Sequence, residues 1–144
     1  MIHLKSEVDP NAIIGENVTV CAFATIRADE GPVSIGKNCN VQECCIIHGD
    51  AVEIGENVTI GHGAIVHGAK IGNNVLIGMN ATILDGAEVG DWCIIGAGAL
   101  VTPSMKIESG SVVVGLPAKF LRCVTETDKE TITLSWKNYA NKAN

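Results

Sequence analysis

The chain has 144 residues, a length that suits one domain able to bury roughly two-thirds of its unfolded surface. Nearly half of it is hydrophobic, yet only five residues are aromatic and sixteen are glycine, so the core must be built from many small aliphatic layers. A formal net charge of −6 with no Lys/Arg cluster argues against nucleic acid or an anionic membrane as partner and favours a small ligand.

In chain order, the opening segment MIHLKSEVD lacks the apolar stretch of a secretory signal. Beyond it, no apolar run approaches the roughly 18 residues of a membrane span. The expected location is cytoplasmic. From Val8 onward an aliphatic residue recurs at Ile14, Val20, Ile26, Ile35, Val41, Ile47, Ile54, Ile60, Val66, Ile71, Ile77, Ile83, Val89, Ile95, Val101, Ile107 and Val113. The step is six, apart from nine after Ile26, seven after Ile47 and five after Val66. Segments such as IGENVT (54–59) and IGNNVL (71–76) show a glycine after the aliphatic residue and a small residue four on.

Period six fits neither a helix nor hairpins. It suits short parallel strands joined by turns, the aliphatic residue pointing inward and Gly or Asn taking the turn conformations. Three hexads per coil make a triangular prism of about six coils, none able to bury its interior alone. This mainly β unit is expected over residues 1–124. The repeat ends in SGSVVVGLPAKFLR, and residues 125–144 have a different character. There, Thr127 to Glu130 fits a capping box, and Ile132, Trp136 and Tyr139 lie at helical spacing. An amphipathic helix over 127 to about 141, folded back on the prism, is predicted.

Of the six cysteines, Cys39, Cys45 and Cys93 occupy the small inward position of the hexad, where a free thiol acts as a compact hydrophobe. No C-x-x-C motif occurs, so a cysteine metal site is not expected. Cys21, Cys44 and Cys123 have no assigned role.

The histidines sort differently. His48 and His67 each follow an inward residue, Ile47 and Val66, and so point outward. Their separation of nineteen is one coil plus the single-residue insertion before Ile54, which stacks them on one face about 4.8 Å apart. Arg27 stands in the same column one coil earlier. His62 belongs to the preceding hexad, around a corner, and is poorly placed to share an ion with the other two of its own chain. Apolar residues point outward on the histidine face at Ile46, Ile65 and Leu100, and on the face carrying His62 at Leu76, Ile94 and Val112. The third face offers Glu53, Lys70 and Glu88. Two covered faces suggest a homotrimer around the prism axis, with part of one face left for the helix. Such an assembly would bring His62 of one subunit to His48 and His67 of the next: three neutral imidazoles and an open position, the ligand set of a catalytic zinc. His3, outside the repeat, is read as a surface residue.

The repeat over roughly residues 8 to 120 resembles the hexapeptide-repeat proteins, and that resemblance implies a single-stranded, left-handed parallel β-helix. The segments IRADEGPVSIGKNCNVQE (26–43), IIH (46–48) and GHGAIVHG (61–68) further resemble the gamma-class carbonic anhydrases. The resemblance implies Zn2+ ligation by His48, His62 and His67 between subunits, with Fe2+ or Co2+ as alternatives, and reversible hydration of CO2 to bicarbonate by a metal-bound hydroxide. By the same match, Arg27 and Asp29 form a cross-subunit ion pair, Asn40 and Gln42 are the family's asparagine and glutamine, Gln42 orients the hydroxide, and Glu30 is a candidate proton acceptor. Two features depart from the family. Glu43 stands where aspartate is usual, and the link HGDAVEI (48–54) is too short to hold the acidic loop that supplies a proton-shuttling glutamate. Two other readings share the prism and trimer: an acyl-CoA-dependent acyltransferase or thioesterase, which needs one histidine and no metal, and a non-catalytic metal- or siderophore-binding protein or scaffold.

Overall fold

The computed structural model describes residues 1–142; Ala143 and Asn144, the end of the expected C-terminal segment, lie outside the described residues. The chain winds as a left-handed parallel β-helix of six triangular coils. The face that carries the paired histidines stacks Glu7–Val8, Thr25–Ile26, Ile46–His48, Ile65–His67, Thr82–Ile83 and Leu100–Val101, every pair parallel. A second face runs from Ile13–Ile14 to Lys106–Ile107, and a third from Thr19–Val20 to Ser111–Val114.

All eighteen hexad positions lie in these strands, and all but Val8 and Ile14, which are partly buried, belong to the core. Register explains the burial: Ile26 pairs with Ile47, Ile47 with Val66, Val66 with Ile83 and Ile83 with Val101, so identical positions stack layer on layer. Between the layers sit the small residues, including Cys39, Cys45 and Cys93, all buried free thiols.

The turns carry a second ladder. Asn17, Asn38, Asn57 and Asn74 all adopt positive φ, which asparagine tolerates better than most residues. Each passes a side-chain hydrogen bond to the next, at 3.2, 2.9 and 3.1 Å. The nine-residue step after Ile26 leaves the ladder intact, because Ile35 still pairs with Ile14 and Ile54; the surplus residues bulge outward at the corner beside His48. Gly31 is required there, since a Cβ would lie 1.4 Å from the Asp50 carbonyl oxygen.

The three outer surfaces differ. Glu53–Lys70 and Glu88–Lys106 ion pairs, at 3.3 and 3.7 Å, line the second face in solvent. The C-terminal helix, Glu126–Ala140, covers part of the third face over Asn40–Val41 and Thr59–Ile60, where it buries Ile132. The helix start differs from expectation. Its capping box is Thr125 with Asp128, two residues ahead of the Thr127–Glu130 pair, because Asp128 also accepts from Arg122 and so locks the helix to the strand before it. That strand, Lys119–Cys123, was not anticipated from the periodicity; it turns back antiparallel on Ser111–Val114 and closes the end of the third face. No helix among the described residues is long and apolar enough to cross a membrane.

Candidate metal centre

His48 and His67 are register partners in adjacent parallel strands. Their rings meet edge to face with centroids 5.2 Å apart. His48 is only 8 % exposed, yet its Nε2 is buried without a hydrogen-bond partner. The nearest charges are carboxylates from the bulged corner: Asp29 Oδ1 at 3.4 Å and Glu30 Oε2 at 3.5 Å. An orphaned imidazole nitrogen close to acidic oxygens is costly unless a cation or proton sits between them. The donor set therefore fits a divalent metal.

One ligand atom from each of Glu30, His48 and His67 lies within 4.8 Å of the others. In a tetrahedral zinc site with bonds of about 2.0–2.1 Å the ligand atoms are about 3.4 Å apart.

His67 is oriented by a residue that the sequence reading missed. Its Nδ1 lies 2.6 Å from Asp85 Oδ1, which leaves Nε2 as the free ring nitrogen. Asp85 follows His67 by eighteen residues, one more than the seventeen that separate the register partners Val66 and Ile83, so it stands one position past the histidine column at the next corner, and that near-coil spacing is the signal that could have found it.

His62 stands apart, in the turn before Ile65–His67, and takes no part in the Glu30–His48–His67 cluster. Its Nδ1 is 2.7 Å from Glu43 Oε2, and its side chain is about half exposed. The His62 backbone N–H donates to Gln42 Oε1 at 3.2 Å, Gln42 Nε2 donates to Asn40 Oδ1 at 3.1 Å, and Asn40 Nδ2 donates to Thr59 Oγ1 at 2.9 Å. Asn40 and Gln42 are buried, so this chain of amides fixes the turn that presents His62.

The expected site residues thus form two groups in one chain. Arg27, Asp29, Glu30, His48 and His67 gather where the histidine face ends; Asn40, Gln42, Glu43 and His62 gather where it begins. Arg27 and Asp29 already meet within the single chain, where no partner subunit is present to pair with either. They close a two-pronged ion pair within the chain, Nε to Oδ1 at 3.0 Å and Nη2 to Oδ2 at 2.5 Å, because the bulged corner folds Asp29 back over the Arg27 side chain. The Arg27 guanidinium holds the Asp29 carboxyl below the usual carboxylate range.

Comparison with known proteins follows the same lines. The model described as bacterial transferase hexapeptide (six repeats) matches residues 68–103, and the hexapeptide repeat of succinyl-transferase matches 32–67 and 51–80. Gamma carbonic anhydrase 2, mitochondrial, of Arabidopsis thaliana is 35% identical over 90% of this chain and 50% of its own length, so the chain spans about half of that relative. The carnitine operon protein CaiE of Escherichia coli K12 is 35% identical over 96% of this chain and 76% of its own. A crystal structure of a hexapeptide transferase family protein from Anaplasma phagocytophilum superposes with a TM-score of 0.90 at 30% identity, covering 99% of this chain and 89% of that one. Repeat, prism and sequence agree: the chain belongs to the gamma carbonic anhydrase-like branch of the hexapeptide-repeat proteins.

Proposed function

We propose that this protein is a metal-dependent, carbonic anhydrase-like enzyme that interconverts CO2 and bicarbonate in the cytoplasm, at sites completed between the subunits of a homotrimer. The observation that supports it most is the division of the site residues between the two edges of one apolar face. Ile46, Ile65 and Leu100 lie between those edges, and Ile46 remains 42 % exposed in the single chain. A second copy seated on this surface sets its own His62 edge against the His48–His67 edge, and threefold closure repeats the contact three times.

His48, His67 and a neighbour's His62 would hold Zn2+, with Fe2+ or Co2+ as alternatives. Bound there, the cation supplies a water acidic enough to ionise near neutral pH, and thereby a nucleophile for CO2. The chain's own residues do the rest. Asp85 and Glu43 each engage Nδ1 of a ligating histidine, which turns the Nε2 lone pair outward. Gln42 and Asn40 brace the His62 turn, and Gln42 reaches the assembled site as the group that orients the reacting water. Glu30, in the bulged corner, accepts a proton at Oε2. The acyltransferase reading needs one basic histidine, and a stacked pair with an orphaned nitrogen exceeds that need.

The test is stopped-flow CO2 hydration with untagged, metal-loaded protein, beside equilibrium dialysis with acetyl-CoA. One metal per chain, a trimeric mass and a rate lost in His48→Ala are expected. Protein that takes up acetyl-CoA but no metal would overturn the reading.

A further inference from the structure

Within a single chain, the third group beside His48 and His67 is a carboxylate rather than a histidine. Glu30 supplies it: its ligand atom shares the 4.8 Å cluster, while His62 is held away by Glu43. Asp29 is as close to His48 Nε2 as Glu30 is, but both of its oxygens are engaged by Arg27. Glu30 has no other ion pair or hydrogen bond among the described residues. His48 Nε2, on a side chain nine-tenths buried, lies 3.4 and 3.5 Å from these oxygens and has no hydrogen-bond partner of its own. Two imidazoles and one carboxylate are a sufficient protein ligand set for a divalent transition metal.

We infer that Glu30, His48 and His67 form a cation site complete in one subunit, which loads metal before a neighbouring copy arrives. Glu30 is then a placeholder ligand. When a neighbour's His62 reaches the same position it displaces the carboxylate, and Glu30 leaves the cation as a free base beside it. The order of events follows from the geometry: both histidines and the carboxylate are already together, whereas His62 needs a second chain. It also explains how an interfacial site can fill without metal having to enter a closed interface. The inference rests on the proposed function, because it concerns the same cation.

The test separates the two. Cobalt(II) is titrated into the unaltered chain and into His62→Ala, Glu30→Gln and the double variant; bound equivalents, affinity by chelator competition, and the visible absorption of the cobalt are read. His62→Ala should keep one equivalent per chain with an altered spectrum. Adding Glu30→Gln in that background should weaken binding by a further 10-fold or more, on the order of the loss of a metal-site contact, whereas Glu30→Gln alone should shift affinity by less than about 3-fold. If His62→Ala binds no cobalt while the unaltered protein binds one equivalent, the one-subunit site is wrong and the shared-histidine site stands. If His62→Ala binds cobalt equally well with and without Glu30, the placeholder role is wrong. If the unaltered protein binds none, the proposed function falls with it. Circular dichroism of each variant checks folding, and all the altered side chains lie outside the buried core.

Discussion

His67 and Asp85 are joined across one coil of the solenoid, Nδ1 to Oδ1 at 2.6 Å. A carboxylate in that place keeps the proton on Nδ1 and leaves Nε2 as a lone-pair donor, so Asp85 sets the tautomer as well as the ring angle. Replacing it with alanine should weaken metal binding about 10- to 100-fold without unfolding the chain, since Asp85 is exposed on a turn. Asp85→Asn keeps an acceptor oxygen and should recover part of that loss. Chelator competition reads both; equal affinities in all three proteins would show that His67 is held by its strand alone.

Ile46 and Ile47 are chain neighbours with opposite fates, because successive residues of a strand face opposite sides. Ile47 is fully buried and Ile46 is 42 % exposed. Ile47→Ala should therefore cost about 2–5 kcal/mol in denaturant unfolding through the cavity it leaves. Ile46→Lys should leave the prism folded but put a charge into the apolar surface between the two half-sites, so the protein should sediment as a monomer. A lysine variant that stays trimeric would move the interface to another surface.

How much of this was legible beforehand depends on what each residue is asked to do. The inward aliphatic positions are a periodic signal, and period alone put Ile26, Ile47 and Val66 in one stack, with His48 over His67. The bulged corner is different. An insertion announces that some residues between Ile26 and Ile35 leave the ladder, but not where they fold, so the approach of Glu30 to His48 and the closure of Arg27 on Asp29 within one chain became visible only in three dimensions. Asp85 hid for another reason: it sits before Gly86, where an aspartate is already explained as a turn former. The Lys119–Cys123 strand follows the last hexad and pairs antiparallel, so no six-residue rhythm could mark it. The capping box was misplaced by two residues because Thr125 and Thr127 both precede an acidic residue by three, and only the Arg122–Asp128 contact decides between them.

That cap has a measurable role. Thr125 Oγ1 accepts from the Asp128 backbone N–H, while the Asp128 carboxylate accepts from the Thr125 backbone N–H at 2.8 Å and from Arg122. Thr125→Ala should cost about 1 kcal/mol of helix stability. The Arg122 contact, with the cap bonds from Thr125, holds the Asp128 carboxyl below its ordinary range. A depressed carboxylate stabilises the fold above its unfolded value and stops doing so only as pH falls through its lower folded value. Acid should thus begin to release the helix only below pH of about 3.9, the unfolded aspartate value. Trp136 fluorescence follows it; in Arg122→Ala the helix should already be less stable above that pH, and its further loss in acid should be smaller, because the folded Asp128 value then lies nearer the unfolded one.

The thiols make the last prediction, because burial divides them. Burial pushes Cys39 up to about 12 and Cys45 up to about 11, and it raises Cys93 in the same direction. At pH 8 a thiol-specific reagent should label the exposed Cys44 and Cys123 quickly, the half-buried Cys21 slowly, and the other three only after unfolding. The sign of the pH effect follows from the same shifts. An acid whose folded value is raised stabilises the protein fully below its unfolded value, about 8.5 for a thiol, and loses that contribution as pH climbs toward the folded value. Between about pH 8.5 and 12 the prism should therefore lose stability as the unfolded chain sheds thiol protons that the core retains, and Cys39→Ala should flatten part of that decline. Rapid native labelling of Cys39 or Cys45 would mean that the coils open readily, and the stacked aliphatic layers would then not be the rigid frame on which His48 and His67 depend.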